Sequence, residues 1–192
     1  MDGATMSINI NRALTIPGWM SEIELTWLAE QASKSTTIAE IGSWRGRSSR
    51  AMADNTKGTI FCVDTWADHA IGIPGWWTTT DLPTIHQWPS WLMREWIKNM
   101  EGCVNAIGKP MTSMQAAEEA RLHGVQFDFI FVDASHDYQS VKDDILAWQP
   151  LLVDGGVFCG HDYNYPQCPD VKRAVDELIP DFYLIDTIWV AK

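Results

Sequence analysis

TTIAEIGSWRGRSSRAMADNTKGTIFCVD, Thr36 to Asp64, reads as strand, turn, helix and strand. TTIAEIG (Thr36 to Gly42) is a short β-branched run of strand type, and GTIFCVD (Gly58 to Asp64) is a second. Arg47 to Ala53 supplies a helix before the turn at Asn55 to Gly58. Two strands joined through a helix run parallel, and a parallel sheet needs both faces covered.

The alternation continues outward from this unit. Val104 to Gly108 is expected as a third strand and Ser113 to Leu122 as a helix. FDFIFVD (Phe127 to Asp133) is a fourth strand, after which Tyr138, Val141, Ile145 and Trp148 recur at helical spacing. Gly155–Gly156 turns the chain into a fifth strand, GGVFCGHD (Gly155 to Asp162). A helix over Pro169 to Leu178 starts with Pro at a favourable early position and faces the core with Val171, Ala174, Val175 and Leu178. The end, DFYLIDTIWVAK, reads as two short antiparallel strands.

Toward the N-terminus, Pro17 and Gly18 precede Ser21–Glu22–Ile23–Glu24, a capping-box pattern. It opens a helix with apolar positions Ile23, Leu25, Leu28 and Ala29 that fades near Lys34. The first dozen residues are expected as a loose or partner-docked arm. The whole is expected as one α/β domain over residues 1–192, with a mostly parallel sheet covered on both faces and its last strand antiparallel.

A chain of 192 residues suits one well-buried domain. Its 46% hydrophobic and 20% charged residues are those of an ordinary soluble globule. The net charge of −11 opposes non-specific binding to nucleic acid or anionic membrane. Four cysteines without CxxC pairing indicate a reduced protein. With no signal peptide and no apolar stretch of about 18 residues, the expected location is cytoplasmic. Eleven tryptophans are the compositional outlier. Trp66, Trp76, Trp77, Trp88, Trp91 and Trp96 crowd residues 66–100, read as an insertion whose rings serve as core, substrate lid or subunit interface.

Two strands end in chemistry. Asp133 and His136 follow the fourth, and His161–Asp162 ends the fifth, all with side chains that bind a metal or move a proton. Ligands of open α/β sheets sit beyond the carboxyl ends of the strands. At the first strand, EIGSWRGRSS (Glu40 to Ser49) has two glycines that permit close backbone approach, but neither the dinucleotide fingerprint nor a phosphate-binding GK[ST]. Asp64 is placed to accept hydrogen bonds from ribose hydroxyls. Glu40 either orients the loop or receives an ammonium group. S-adenosylmethionine, which has no pyrophosphate, needs those contacts; a tight turn without any ligand is the alternative. Arg45 and Arg47 are expected to be solvated rather than to meet the methionine carboxylate.

Taken together, EIGSWRGRSS, VDTW (Val63 to Trp66), FDFIFVDASHDYQSVKDDILAW and GGVFCGHDY resemble a class I S-adenosylmethionine-dependent methyltransferase. The sequence is similar, more narrowly, to metal-dependent sugar and macrolide O-methyltransferases and to cephalosporin-biosynthesis methyltransferase-like proteins. The resemblance spans roughly Ile16 to the C-terminus and implies a Rossmann-like seven-stranded fold. It implies that Glu40, Gly42, Ser43, Gly46 and Ser48 form the cofactor loop, that Asp64 binds the ribose, and that Thr112 and Ser113 lie near the adenine. It implies a divalent cation, Mg²⁺ or Mn²⁺, at Asp133, His161 and Asp162, with Asp133 also bordering the cofactor. His161 stands where many relatives carry a carboxylate, which leaves room for Fe²⁺, Zn²⁺ or no metal. His136 matches the family's general base, and an imidazole pKa near ~6.5 suits that task.

The function expected is O-methylation of a small hydroxylated acceptor, a sugar or a natural product. Catalysis falls to His136 and Asp133, and the only partners expected are that acceptor and, as an open possibility, further copies of the chain. Two alternatives stay open: a metal-dependent hydrolase or oxygenase using the same strand-end residues, and a non-catalytic cofactor-binding or assembly protein.

Overall fold

Alternation within each strand decides how the core divides. In β1 (Thr37–Ile41), Ile38 and Glu40 point to one face while Ala39 and Ile41 point to the other. In β4 (Phe127–Val132), Phe129 and Phe131 share the first face, and Ile130 and Val132 the second. Both sets are buried, so helices must cover both sides.

The computed structural model describes residues 7–67 and 89–192. Its further elements are α1 (Asn11–Thr15), α2 (Glu22–Ala32), α3 (Arg47–Ala53), β2 (Thr59–Asp64), α4 (Trp91–Asn99), β3 (Ala106–Pro110) and α5 (Ser113–Leu122). Then come α6 (Tyr138–Trp148), β5 (Leu152–Gly160), α7 (Pro169–Leu178), β6 (Phe182–Ile185) and β7 (Ile188–Ala191). The strands form one seven-stranded sheet in the order β3-β2-β1-β4-β5-β7-β6. Every pairing from β3 to β5 is parallel, and β7 runs antiparallel to β5 and to β6. Helices α1 to α4 contribute to one core cluster and α5 to α7 to the other. The expected mixed sheet, with its last strand reversed, is what the chain forms. No helix among the described residues is long and apolar enough to cross a membrane.

Several local expectations shift. The N-terminal segment from Ser7 is not loose. It forms the short α1 and is tied to α3's end, where Asn55 donates to the Asn9 carbonyl (2.7 Å) and accepts from its N–H (2.8 Å). In α2 the capping box of Ser21 and Glu24 is present, but Ile23 points outward at 65% exposure while Glu24 is buried. β3 starts at Ala106, because Val104 stands fully in solvent. β5 starts at Leu152, before the glycine pair. Gly155 adopts φ +77 within the register shift that separates Phe127–Leu152 pairing from Phe129–Val157 pairing.

The tryptophans of residues 66–100 divide. Trp66 is fully buried, its ring 5.0 Å from that of Trp96 on α4, the crossover helix between β2 and β3. These rings fill the first core. Trp76, Trp77 and Trp88, on which the lid reading leans, lie outside the described residues.

Arg47, expected in solvent, is instead a structural clamp. Its guanidinium donates to the carbonyls of Ile16 (2.6 Å), Leu14 (3.3 Å), Ala13 (3.4 Å) and Met20 (3.0 Å). One cation thereby gathers the carbonyls where α1 ends and the chain turns toward α2, that of Ala13 also accepting from the Ile16 N–H at 3.0 Å. Arg45 likewise stacks, 4.7 Å from the ring centroids of both Trp44 and Trp91. Replacing Arg47 with Met keeps the stem's packing and leaves the Leu14, Ile16 and Met20 carbonyls without the guanidinium donor. We expect a loss of about 2–3 kcal/mol, read as a lower urea midpoint at unchanged m value.

Candidate active site

The carboxyl ends of five strands lie side by side. The Met111 N–H donates to the carbonyl of Asp64, Gly42 to Val63, Asp133 to Ile41, and His161 to Val132. This places the ends of β3, β2, β1, β4 and β5 in one row, and the residues singled out in the sequence fall along it.

Glu40 has no exposed surface, and its carboxylate accepts from the hydroxyls of Ser43 (2.6 Å), Ser48 (2.5 Å) and Ser49. Burial raises its pKa from 4.5 to about 6 against the lowering effect of the three serines. Of its two sequence roles, the contacts seen are those of orienting the turn into α3. Gly42 has φ +94, and a Cβ there would stand 1.9 Å from the carbonyl oxygen of Asp133. Gly46, the N-cap of α3, also has positive φ (87°).

Asp64 braces two residues that both adopt positive φ, Trp44 (42°) and Trp66 (43°). Its oxygens accept from their backbone N–H groups at 2.8 and 2.7 Å, and the Trp66 indole closes the loop onto the Trp44 carbonyl at 2.8 Å. Burial pushes the Asp64 carboxyl up, opposed by those two donors. Thr112 caps α5 through reciprocal bonds with Gln115. Ser113 donates to the buried Asp144 and accepts from the Trp148 indole (2.8 Å), so its hydroxyl is spent joining α5 to α6. Thr112 and Ser113 thus follow the β3 end with side chains engaged in caps and packing.

At the β4 and β5 ends the side chains converge. His136 Nε2 lies 2.7 Å from Asp162 Oδ2 and 3.9 Å from Asp133 Oδ1. His161 Nδ1 lies 3.2 Å from Asp162 Oδ1 and 3.6 Å from Asp133 Oδ1. Its other nitrogen, Nε2, meets Glu24 Oε1 at 3.2 Å. Asp162 reaches this position with φ +64, a conformation acidic residues tolerate better than most. The result is an unbroken series, Glu24–His161–Asp162–His136, running from the core to a histidine whose side chain is 31% exposed.

The charges follow from that series. Burial opposes ionisation of Asp162, but hydrogen bonds from His136 and His161 outweigh it and hold the carboxyl low. Burial and the neighbouring Asp162 charge leave Asp133 raised despite His161. Burial alone would lower both imidazoles. Asp133, Asp162 and Glu24 outweigh it at His161, and Asp162 with Asp133 at His136, so both are raised. Asp133, His161 and Asp162 also bring one ligand atom each to within 4.8 Å of one another.

Two members of the cluster went unnoticed in the sequence. Glu24 was legible only as a capping residue, and no local pattern distinguishes a capping glutamate from one that is also buried. Cys168 closes a second grouping with His136 and Asp162. Its thiol is pushed up to about 11, by burial first, and stays neutral.

A family model described as "Methyltransferase domain" matches residues 39–163, more than half of the chain. The chain is a class I S-adenosylmethionine-dependent methyltransferase. Its fold is similar to that of CalS11, a calicheamicin methyltransferase (TM-score 0.61, 14% identity, 88% of this chain and 76% of that one). It is similar also to the Bacillus cereus O-methyltransferase in complex with SAH (0.63, 17%, 95% and 87%). A third likeness is to the O-methyltransferase NovP (0.59, 16%, 88% and 79%). None of the curated proteins matches the sequence. Methyl transfer thus displaces the hydrolase, oxygenase and non-catalytic alternatives, and S-adenosylmethionine is the methyltransferase's cofactor.

Two substitutions probe the cofactor-side turn. Gly42→Ala forces a methyl group into the Asp133 carbonyl at an unfavourable φ, and we expect a loss of about 3 kcal/mol or more in chemical unfolding. For Glu40 the sign follows from its raised pKa, because the folded state binds the proton more tightly than the unfolded chain. Its contribution is full below pH 4.5 and lost as pH rises through about 6. The shift corresponds to about 2 kcal/mol. Between pH 4 and 7, wild type should therefore lose about 2 kcal/mol more stability than Glu40→Gln, measured by urea midpoints.

Proposed function

We propose that the methyltransferase moves the methyl group of S-adenosylmethionine onto a hydroxyl oxygen of a small acceptor, a sugar or a natural-product ring system. The observation that carries this reading is His136, partly exposed beyond β4 and held by Asp162 at 2.7 Å. An ionised Asp162 only accepts, so Nε2 of His136 carries the hydrogen and Nδ1 keeps the lone pair. That nitrogen takes the acceptor's proton while the acceptor oxygen attacks the methyl carbon. The C–S bond breaks, its electrons return to sulfur, and S-adenosylhomocysteine leaves. A hydroxyl acceptor is favoured because its proton must go to a base, which this histidine supplies.

Glu40 sets the shape of the turn that Gly42, Ser43, Gly46 and Ser48 present to the cofactor. Asp64, at the end of β2, takes the ribose hydroxyls with the lone pairs that its two backbone donors leave free. Asp133 stands between cofactor and acceptor. The residues for a divalent cation fit: Asp133, His161 and Asp162 converge, and Glu24 occupies the far nitrogen of His161, so that Nδ1 faces the carboxylates. A mixed oxygen and nitrogen set suits Mn²⁺ better than the harder Mg²⁺. When bound, the cation lowers the acceptor hydroxyl's pKa and orients it. The four free thiols support a reducing, cytoplasmic setting.

Calorimetric titration with S-adenosylmethionine, with and without Mn²⁺, tests the first half. Micromolar affinity is expected, and absence of binding by folded protein overturns the reading. For the second half, His136→Ala should lower kcat about 10²–10⁴-fold on an acceptor found by screening hydroxylated sugars and polyketide scaffolds. Cofactor affinity should stay unchanged. Because the base works only when neutral and its pKa is raised, kcat should fall with decreasing pH from a point above 6.5. An unchanged kcat in the variant would remove His136 from the chemistry.

A further inference from the structure

Glu24 lies on α2, before the matched methyltransferase domain, yet its carboxylate is in contact with the cluster beyond β5. It is 2% exposed and fully engaged. Oε2 accepts from the Ser21 N–H at 2.8 Å. Oε1 faces the Thr187 N–H at 3.1 Å, the Thr187 hydroxyl at 2.7 Å and His161 Nε2 at 3.2 Å. An ionised Glu24 can only accept, so the His161 contact requires hydrogen on Nε2. That leaves Nδ1 as the nitrogen turned toward Asp133 and Asp162.

We infer that Glu24 is a positioning residue of the methyltransferase: through Nε2–H it fixes the ring orientation of His161, so that Nδ1 is presented to a divalent cation shared with Asp133 and Asp162. The cation part rests on the metal site proposed above. The hydrogen bond itself does not. A carboxylate behind a ligating imidazole fixes its tautomer and strengthens it as a donor, and losing such a partner typically weakens metal affinity about 10–100-fold. The arrangement also couples three distant segments, because Glu24 comes from α2, Thr187 from the β6–β7 turn and His161 from the end of β5. The site beyond the carboxyl ends of β4 and β5 is therefore closed from behind by α2 and by the β6–β7 turn.

The test uses the full chain and Mn²⁺ alone as probe. Glu24→Ala should weaken Mn²⁺ binding about 10–100-fold by calorimetry while leaving S-adenosylmethionine affinity unchanged. Glu24→Gln can still place an oxygen toward His161 and Thr187, losing the arm to Ser21, and should recover part of the affinity. Ser21→Ala separates the two roles of Glu24: it removes the helix cap, so it should lower Tm without moving Mn²⁺ affinity. Wild-type Mn²⁺ affinity in folded Glu24→Ala, or an equal loss in Ser21→Ala, overturns the inference. A nitrogen-edited NMR spectrum of the metal-free protein keeps failure of the metal site distinct. A protected, downfield Nε2–H signal from His161 is expected in wild type and absent in Glu24→Ala. If no such signal exists in wild type, the hydrogen bond and the inference both fail. If it exists and Mn²⁺ does not bind, the metal reading falls and Glu24's part in presenting Nδ1 to a cation falls with it.

Discussion

The carboxyl ends of β1 and β4 approach so closely at Gly42 that no side chain fits between them, and the rest of the site depends on that contact. A Cβ at this position would lie within bonding-like distance of the Asp133 carbonyl. The contact joins the turn of the cofactor side, braced by Glu40 and Asp64, to the acid–base cluster that starts at Asp133. In-line methyl transfer requires donor and acceptor to meet within a few ångströms. Two strand ends that touch supply that proximity before either ligand arrives.

Around this contact the protein buries charge and satisfies it locally. Glu40 sits against the first core cluster and is ringed by serine hydroxyls, while Glu24 is ringed by a histidine, a threonine and a capping N–H. The environments act in opposite directions. With neutral hydroxyls for partners and the Asp133 charge nearby, buried Glu40 is raised to about 6, whereas Glu24, beside His161, falls to about 2. Burial opposes ionisation in both cases, and the nearby cationic imidazole decides the outcome. The same logic separates Asp133 from Asp162, so one carboxylate of the pair is held ionised next to His136.

Much of the fold was legible because strand and helix periods are local properties. Helices α3, α5 and α7 have the limits that their apolar spacing, caps and prolines indicate. The strand-end residues Asp133, His136, His161 and Asp162 stood out because polar groups closing buried runs are unusual, and the structure brings all four together. Misreadings arose where a distant partner reversed a local preference. Ile23 looked like the inward residue of α2, yet Glu24 is inward because His161 and Thr187 make its burial favourable. Arg47 looked solvated, yet four carbonyls of the N-terminal segment surround it. For the tryptophans of residues 66–100 the sequence left core, lid and interface open, and Trp66 and Trp96 take the first of these.

By itself, the sequence determined the order of strands and helices, the two-sided burial of the sheet and the membership in a methyltransferase family. These depend on periodicity and on short motifs carried by neighbouring residues. Only the tertiary structure decided which acids are buried, which nitrogen of His161 faces the site, and that α2 and the β6–β7 turn close it from behind. A hydrogen bond or a buried charge depends on groups from far along the chain, and no local pattern encodes where those groups will meet.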